Sequence, residues 1–236
     1  MPVANPLLRS AWGILSCAGL ALAGASCASS RLEWSEPEFG RAALRGENVT
    51  VAGVIDRCGR LSGREAGALS STVALQLRKR GKDVAVQRSG GSQGQRLSRN
   101  ANVAAVAREN LRKGKARYVL VMELLENGTS RDVDHSCEEI TEAVYDKEGK
   151  QVGCRVVRID YTTRSIAYRH AEIRCHLWER GRSDAVWVVT ARHRESRSRS
   201  RIAHCDYPPP PPFPDPPALA DLADNLGRAS LRKLRR

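Results

Sequence analysis

The run ARYVLVMELLENG at residues 116–128 constrains the fold more than any other stretch of this chain. Its apolar residues do not alternate with polar ones. A strand built from them must be covered on both faces, which puts it in the middle of a sheet with material above and below. The segments before it supply that material. NVTVAGVID at residues 48–56 is β-branched and reads as a strand. Ser62 and Glu65 form an S-x-x-E capping box, and Ala66, Leu69, Val73 and Leu77 follow at helical spacing, with Gly81 as a stop. DVAVQ at 83–87 is a short second strand. Residues 88–98 are a glycine loop that matches no phosphate-binding pattern. A second helix carries Val103, Val106, Ala107 and Leu111 on one face and stops at Gly114.

The order to this point is β-α-β-α-β, and the rest is mostly strand. Strands are expected over 139–146, 151–160, 164–178 and 185–195, with hairpin turns at DKEGK and ERGRSD. In IAYRHAEIRCHLW, Ala167, Ala171, Ile173, Cys175 and Leu177 share one face. Tyr168, His170, Glu172, Arg174, His176 and Trp178 share the other, the pattern of a half-buried antiparallel strand. Beyond residue 195 regular structure is expected to fade into the basic run 192–201. A polyproline II linker follows at 206–217, then an amphipathic helix over 218–236 with Leu219, Leu222, Leu226 and Ala229 on its apolar face. The expected fold class is α/β (α+β): a mixed sheet backed by two helices, with a β-hairpin extension and a C-terminal helix. The expected organisation is a signal segment at 1–26, a tether at 27–47, one domain at 48–205, the linker and the helix.

The N-terminal segment has a charged start with Arg9, a short apolar run and small residues, the anatomy of a secretory signal. The apolar run is shorter than the roughly 20 residues that span a bilayer. Two kinds of processing fit. Cleavage after Ala25 follows an A-x-A site. Alternatively Cys27, preceded by Ala25 and Ser26, begins the mature chain and takes a lipid, such as palmitate, although Gly24 stands where a lipidation signal usually has a large aliphatic residue.

Export places the remaining cysteines where disulfides persist. Of the 7 cysteines, Cys17 leaves with the signal. Cys58, Cys137, Cys154, Cys175 and Cys205 are the candidate disulfide cysteines, five if Cys27 is lipidated and six with it if not. No C-x-x-C pair suggests a redox or zinc site. The formal charge of +13 favours anionic partners, but the arginines are dispersed and export argues against nucleic acid.

No residue set meets the requirements of a catalytic, cofactor or metal site. His170, Glu172 and His176 share a strand face, but Glu172 and His176 are four residues apart, about 13 Å at about 3.3 Å per residue, too far for one ion. DVDHSCEE at 132–139 gathers acids with His135 and Cys137 and reads as a loop holding a disulfide cysteine. G-x-S-x-G and S-x-x-K are missing.

VTVAGVID, KGKARYVLVMEL and LWERGRSDAVWVV, in this order, resemble a group of bacterial outer-membrane lipoproteins that includes the curli-secretion lipoprotein and the lipoprotein activators of penicillin-binding proteins. The resemblance spans roughly residues 48–195 and is one of architecture. The cysteine-bearing insertion after Gly128 departs from it. The resemblance carries over one functional residue, the lipid cysteine Cys27. Ala28 is not the aspartate that retains such proteins in the inner membrane, which implies outer-membrane sorting.

The functional expectation is a non-catalytic envelope protein, membrane-held through an N-terminal lipid and facing the periplasm. It would bind a protein or an anionic polymer and have no cofactor. The alternative is a secreted disulfide-containing protein or enzyme acting on an anionic envelope substrate. Nothing in the sequence sets the oligomeric state.

Overall fold

The computed structural model describes residues 28–80, 85–88 and 96–234. The signal segment, Cys27, Gly81 and most of the glycine loop lie outside these. Seven strands form one sheet: β1 (Ser29–Ser35), β2 (Asn48–Asp56), β3 (Ala85–Arg88), β4 (Arg96–Leu97), β5 (Tyr118–Tyr145), β6 (Gln151–Glu179) and β7 (Ala185–Ala203). Their order is β1-β7-β6-β5-β2-β3, and β4 also pairs with β2. β2 is parallel to β3, β4 and β5, and the β5–β6–β7–β1 half is antiparallel. The expected α+β class with a hairpin extension and a C-terminal helix is what forms.

Two apolar layers enclose the sheet. Helices α1 (Gly63–Arg80) and α3 (Leu219–Arg232) cover one face, packing on Val49, Val51, Leu120, Met122, Ile173 and Val189. Helix α2 (Val103–Lys113) covers the other, packing on Ala52, Ile55, Val119, Val121 and Trp178. The double cover explains the unbroken apolar run, since residues 118–124 of β5 are buried on both sides.

The helix ends form as their side chains dictate. Glu65 N–H donates to Ser62 Oγ at 3.2 Å, and Ser62 N–H donates to Glu65 Oε2 at 2.9 Å. Asn102 Oδ1 accepts from Ala105 N–H at 3.0 Å. In α3, Leu219, Leu222, Leu226 and Ala229 are buried, and Gln76 of α1 donates to Asp224 at 2.6 Å.

The strands run much further than their separate segments suggest. Residues 118–128 and 139–145 belong to one strand of 28 residues, β5, and β6 has 29 residues. The stretch 132–139, expected as a loop, is the middle of β5, and it is held by pairing such as Asp134↔Arg164 and Cys137↔Tyr161. β7 does not fade at Glu195 but pairs with β6 out to Ala203↔Tyr161. Serine and arginine alternate over residues 196–201, and that period of two suits a strand. The stretch expected as a tether contains β1, which pairs with β7 from Ser35↔Trp187 to Ser29↔Arg192, and a 3-10 turn at Arg41–Leu44.

Beyond Leu124 and Arg192 the sheet therefore continues as a ribbon, three strands wide to Ala203 and two strands wide to the turn at Gly149, whose φ of +78° glycine adopts without strain.

The proline segment lies along this ribbon. Pro208, Pro211, Pro214 and Pro217 are buried, and Pro209, Pro210, Pro212 and Asp215 are exposed. A period of three is that of a polyproline II helix resting on a surface. The surface is floored by the small, fully buried Thr163, Ser165 and Ala167 of β6. Ser165 donates to the Pro211 carbonyl at 2.6 Å, and Arg169 donates to the Pro217 carbonyl at 3.3 Å. Arg131 stacks over Phe213 at 5.3 Å, and Tyr207 packs edge-on against His135 and Tyr161.

Replacing Ser165 with alanine leaves a buried carbonyl without its donor. It is expected to cost about 1–2 kcal/mol in denaturant unfolding, whereas Ser196→Ala on the exposed face stays close to the parent. Equal stability of the two variants would show that the strap bond contributes nothing.

Candidate binding surface

Side-chain chemistry concentrates on the sheet face that carries α2, where α2 does not cover β6, β7 and β1. His170, Glu172, Arg174 and His176 project there together, as their alternation predicts. The register sets each beside a partner. His170 Nε2 is 3.0 Å from Glu126 Oε1, Arg192 donates to Glu172 at 2.6 Å, Arg174 pairs with Glu33 at 3.0 Å, and His176 Nε2 is 2.8 Å from Glu123 Oε2. His170 can lie flat on the neighbouring strand because residue 128 is glycine: a Cβ there would sit 2.4 Å from the ring. Arg194 stacks on Tyr168 at 3.8 Å. Each acid of this row faces a cation or a histidine, so the row is a self-compensated ladder. His170, Glu172 and His176 each hold a different partner, and among the described residues no three His, Cys, Asp or Glu converge as metal ligands.

One buried acid, Glu123, ties this face to the core, and a second, Asp56, lies on the α1 side of the sheet beside Leu124. Glu123 accepts from Arg57 Nε at 2.7 Å and also contacts His176. Burial alone would raise its pKa, but the hydrogen bonds from His176 and Arg57 outweigh burial and hold it below the usual value. Asp56 ends β2. Burial pushes against its charge, and the N–H groups of Leu61 and Gly59, the Cys58 thiol and Arg96 hold its pKa down. Neither Glu123 nor Asp56 was singled out by sequence; a carboxylate inside the apolar run YVLVMELL was the available signal for Glu123.

Cys58, Cys137, Cys154, Cys175 and Cys205, the candidate disulfide cysteines, are free thiols in this structure. Cys137 faces Tyr161, seven residues along β6 from Cys154, so the two are about 23 Å apart, and a disulfide needs Cα atoms within about 7 Å. Cys175 is about 69 Å along β6 from Cys154. It is buried beneath α3 with its thiol 3.8 Å from Ser230 Oγ, and burial pushes its pKa up to about 12. Cys58 donates to Asp56 Oδ1 at 3.2 Å, and burial and that neighbouring charge raise its pKa. Cys137, Cys154 and Cys205 are exposed on the ribbon or at its end.

On the opposite face of the ribbon the basic run becomes a regular row. Arg197, Arg199 and Arg201 stand opposite Ala167, Ser165 and Thr163 of β6. Arg197 pairs with Asp221 of α3 at 2.9 Å, and Arg201 donates to the Pro209 carbonyl at 3.4 Å. The ribbon also exposes Tyr145, Val152, Val156, Val157 and Ile202.

No protein-family model matches the chain, and no curated protein matches its sequence. Solved structures similar in shape include the PelC dodecamer from Paraburkholderia phytofirmans, at 14% identity and a TM-score of 0.43, covering 89% of this chain and 99% of that one. The hypothetical protein CT253 from Chlamydia trachomatis is 12% identical with a TM-score of 0.30, covering 65% and 72%. The lipoprotein GNA1162 from Neisseria meningitidis is 12% identical with a TM-score of 0.28, covering 66% and 84%.

Two outcomes follow from this chemistry. Because the native pKa values of Glu123 and Asp56 are depressed, their stabilisation is full above the ordinary carboxylate values of 4.5 and 3.8 and is lost as pH falls through the lowered native values. Glu123→Gln is expected to cost about 2 kcal/mol at pH 7, reduced by the partial exposure of Arg57, and to shrink the difference in urea midpoint between pH 7 and pH 3. An unchanged difference would remove Glu123 from the account. In a thiol-labelling time course on the reduced chain, Cys137, Cys154 and Cys205 are expected to react at once and Cys175 only after unfolding. Early labelling of Cys175 would contradict its burial.

Proposed function

We propose that this is a lipid-anchored, non-catalytic binding protein of the cell envelope, outer-membrane held and periplasm-facing, which offers its β5–β7 ribbon to a protein partner. The observation that carries the reading is the ribbon. β6 is about 95 Å long at about 3.3 Å per residue, far more than the helices cover. The excess length holds exposed Tyr145, Val152, Val156 and Val157, whose apolar surface serves no core of this chain. The anchor rests on the signal anatomy before Cys27. β1 begins at Ser29, beside Arg192 at the ribbon's base, so a lipid on Cys27 would hold that base against the bilayer and present the cations Arg31, Arg192 and Arg194 to anionic headgroups.

In a detergent phase partition the mature chain is expected in the detergent phase and Cys27→Ser in the aqueous phase; aqueous behaviour of both removes the anchor. In native membranes, a photocrosslinker attached to the ribbon thiol Cys154 is expected to give one discrete protein adduct, and one on Cys58 none. Identical patterns from the two sites would dismiss the ribbon as the binding element.

A further inference from the structure

We infer that the outer edge of β7 from His193 to Ala203 accepts an added β-strand from a partner protein, and that the accepted strand carries carboxylates at alternate positions. This deepens the binding reading above and rests on it. β1 lines this edge only as far as Arg192, and among the described residues no strand lies beyond it. The backbone groups on the outer side of residues 193–203 therefore form an open ladder, the template that strand addition uses.

The side chains flanking this edge specify the occupant. Ser196, Ser198 and Ser200 fall on the ribbon face that carries Tyr168 and Arg164. Arg197, Arg199 and Arg201 fall on the face that carries Ala167, Ser165 and Thr163. All six are exposed. A strand laid along the edge would bring its same-face side chains to about 5 Å from the arginines. Carboxylates at i, i+2 and i+4 would then meet Arg197, Arg199 and Arg201 in turn, and short polar residues between them would meet the serines.

A second copy of this chain does not fit through its own β7 edge. Pairing two β7 edges antiparallel sets arginine beside arginine. A further open edge, that of β5, carries Asp132 and Asp134 on the serine face, because they pair with Ile166 and Arg164. On the arginine face β5 brings Arg131, Val133 and His135. Like charges opposite one another destabilise a strand pair, so the arginine row rejects a second β7 edge and a parallel β5 edge and selects an acidic strand. A β5 edge added antiparallel would turn Asp132 and Asp134 to the arginines, and self-association of the full chain through residues 193–203 would assign the edge to a second copy and overturn the partner-strand reading.

The test uses the detergent-solubilised full chain and two capped decapeptides of one composition, alternating Glu-Thr and a block of five Glu followed by five Thr. In fluorescence anisotropy the alternating peptide is expected to bind about tenfold more tightly, with hydrogen-exchange protection of the amides of residues 193–203. Arg199 has no partner among the described residues other than its strand neighbours. Arg199→Glu, with its fold checked by circular dichroism, is expected to weaken binding about fivefold, and a peptide with lysine at the central Glu is expected to recover it. Equal binding of the two isomers, displacement by a sulfated polysaccharide without edge protection, or no binding of either peptide overturns the assignment. If the Cys154 adduct persists in that case, the binding reading stands and only the edge assignment falls.

Discussion

β5 and β6 stay paired from Tyr118↔Glu179 to Tyr145↔Gln151, with three local shifts of register. Because side chains alternate with a period of two, this one ladder decides which face every residue of the antiparallel half occupies. It sends Ile173, Cys175 and Leu177 under α3 and sends His170, Glu172 and His176 to the other side. A slip of one residue would bury the charges and expose the core. The row of partners that includes Glu126, Glu123 and Arg192 exists because the ladder brings it together.

The same ladder explains how two kinds of surface coexist. Near the body each strand has apolar layers above and below, and the few acids there are paired. Beyond Leu124 and Arg192 the flanking strands stop, and among the described residues the polyproline strap, with α3 reaching His193 and Arg197, covers one ribbon face. That face tolerates a strap because its floor is Thr163, Ser165 and Ala167, which leave room for proline rings. Arg131, Arg169 and Arg201 approach from the sides, by ring stacking in one case and by donation to proline carbonyls in the others.

Much of the architecture was legible because it rests on local rules. The Ser62–Glu65 box, the α1 stripe from Ala66 to Leu77, the apolar face of α3 and the two-sided burial of residues 118–124 all follow from spacing. The paired length of the strands did not. The segment 129–138 is polar apart from Val133 and Cys137 and has no apolar face of its own, so its strand state comes from the partner 160–170, a non-local cause. β1 has weak strand character of its own and takes its form from the edge of β7. The spacing of the cysteines was not legible either: counting cysteines carries no distances, and strand pairing sets Cys137, Cys154 and Cys175 far apart. One signal was in the letters all the same, the period of two in the serine–arginine run; the period of three at Pro208, Pro211, Pro214 and Pro217 is a pattern of burial within an almost unbroken proline run.

The strap also solves a problem of connectivity. β7 carries the chain outward along the ribbon to Ala203, yet α3 must pack on α1 at the body. The return path has to cover the distance from Tyr161, against which Tyr207 packs, to Arg169, which reaches Pro217. That is eight residues of strand, about 26 Å. Ten residues of polyproline II span about 31 Å, so the segment fits with a shallow slant and no slack. A flexible linker of equal length would make the same connection but lose more conformational entropy when fixed. Proline limits that loss, and its missing N–H groups leave the return segment few donors beyond Phe213 and Asp215, so it lies on the sheet face and does not extend the ladder. Among the described residues, the edges of β5 and β7, and of β6 beyond Tyr161, are what the strap leaves open.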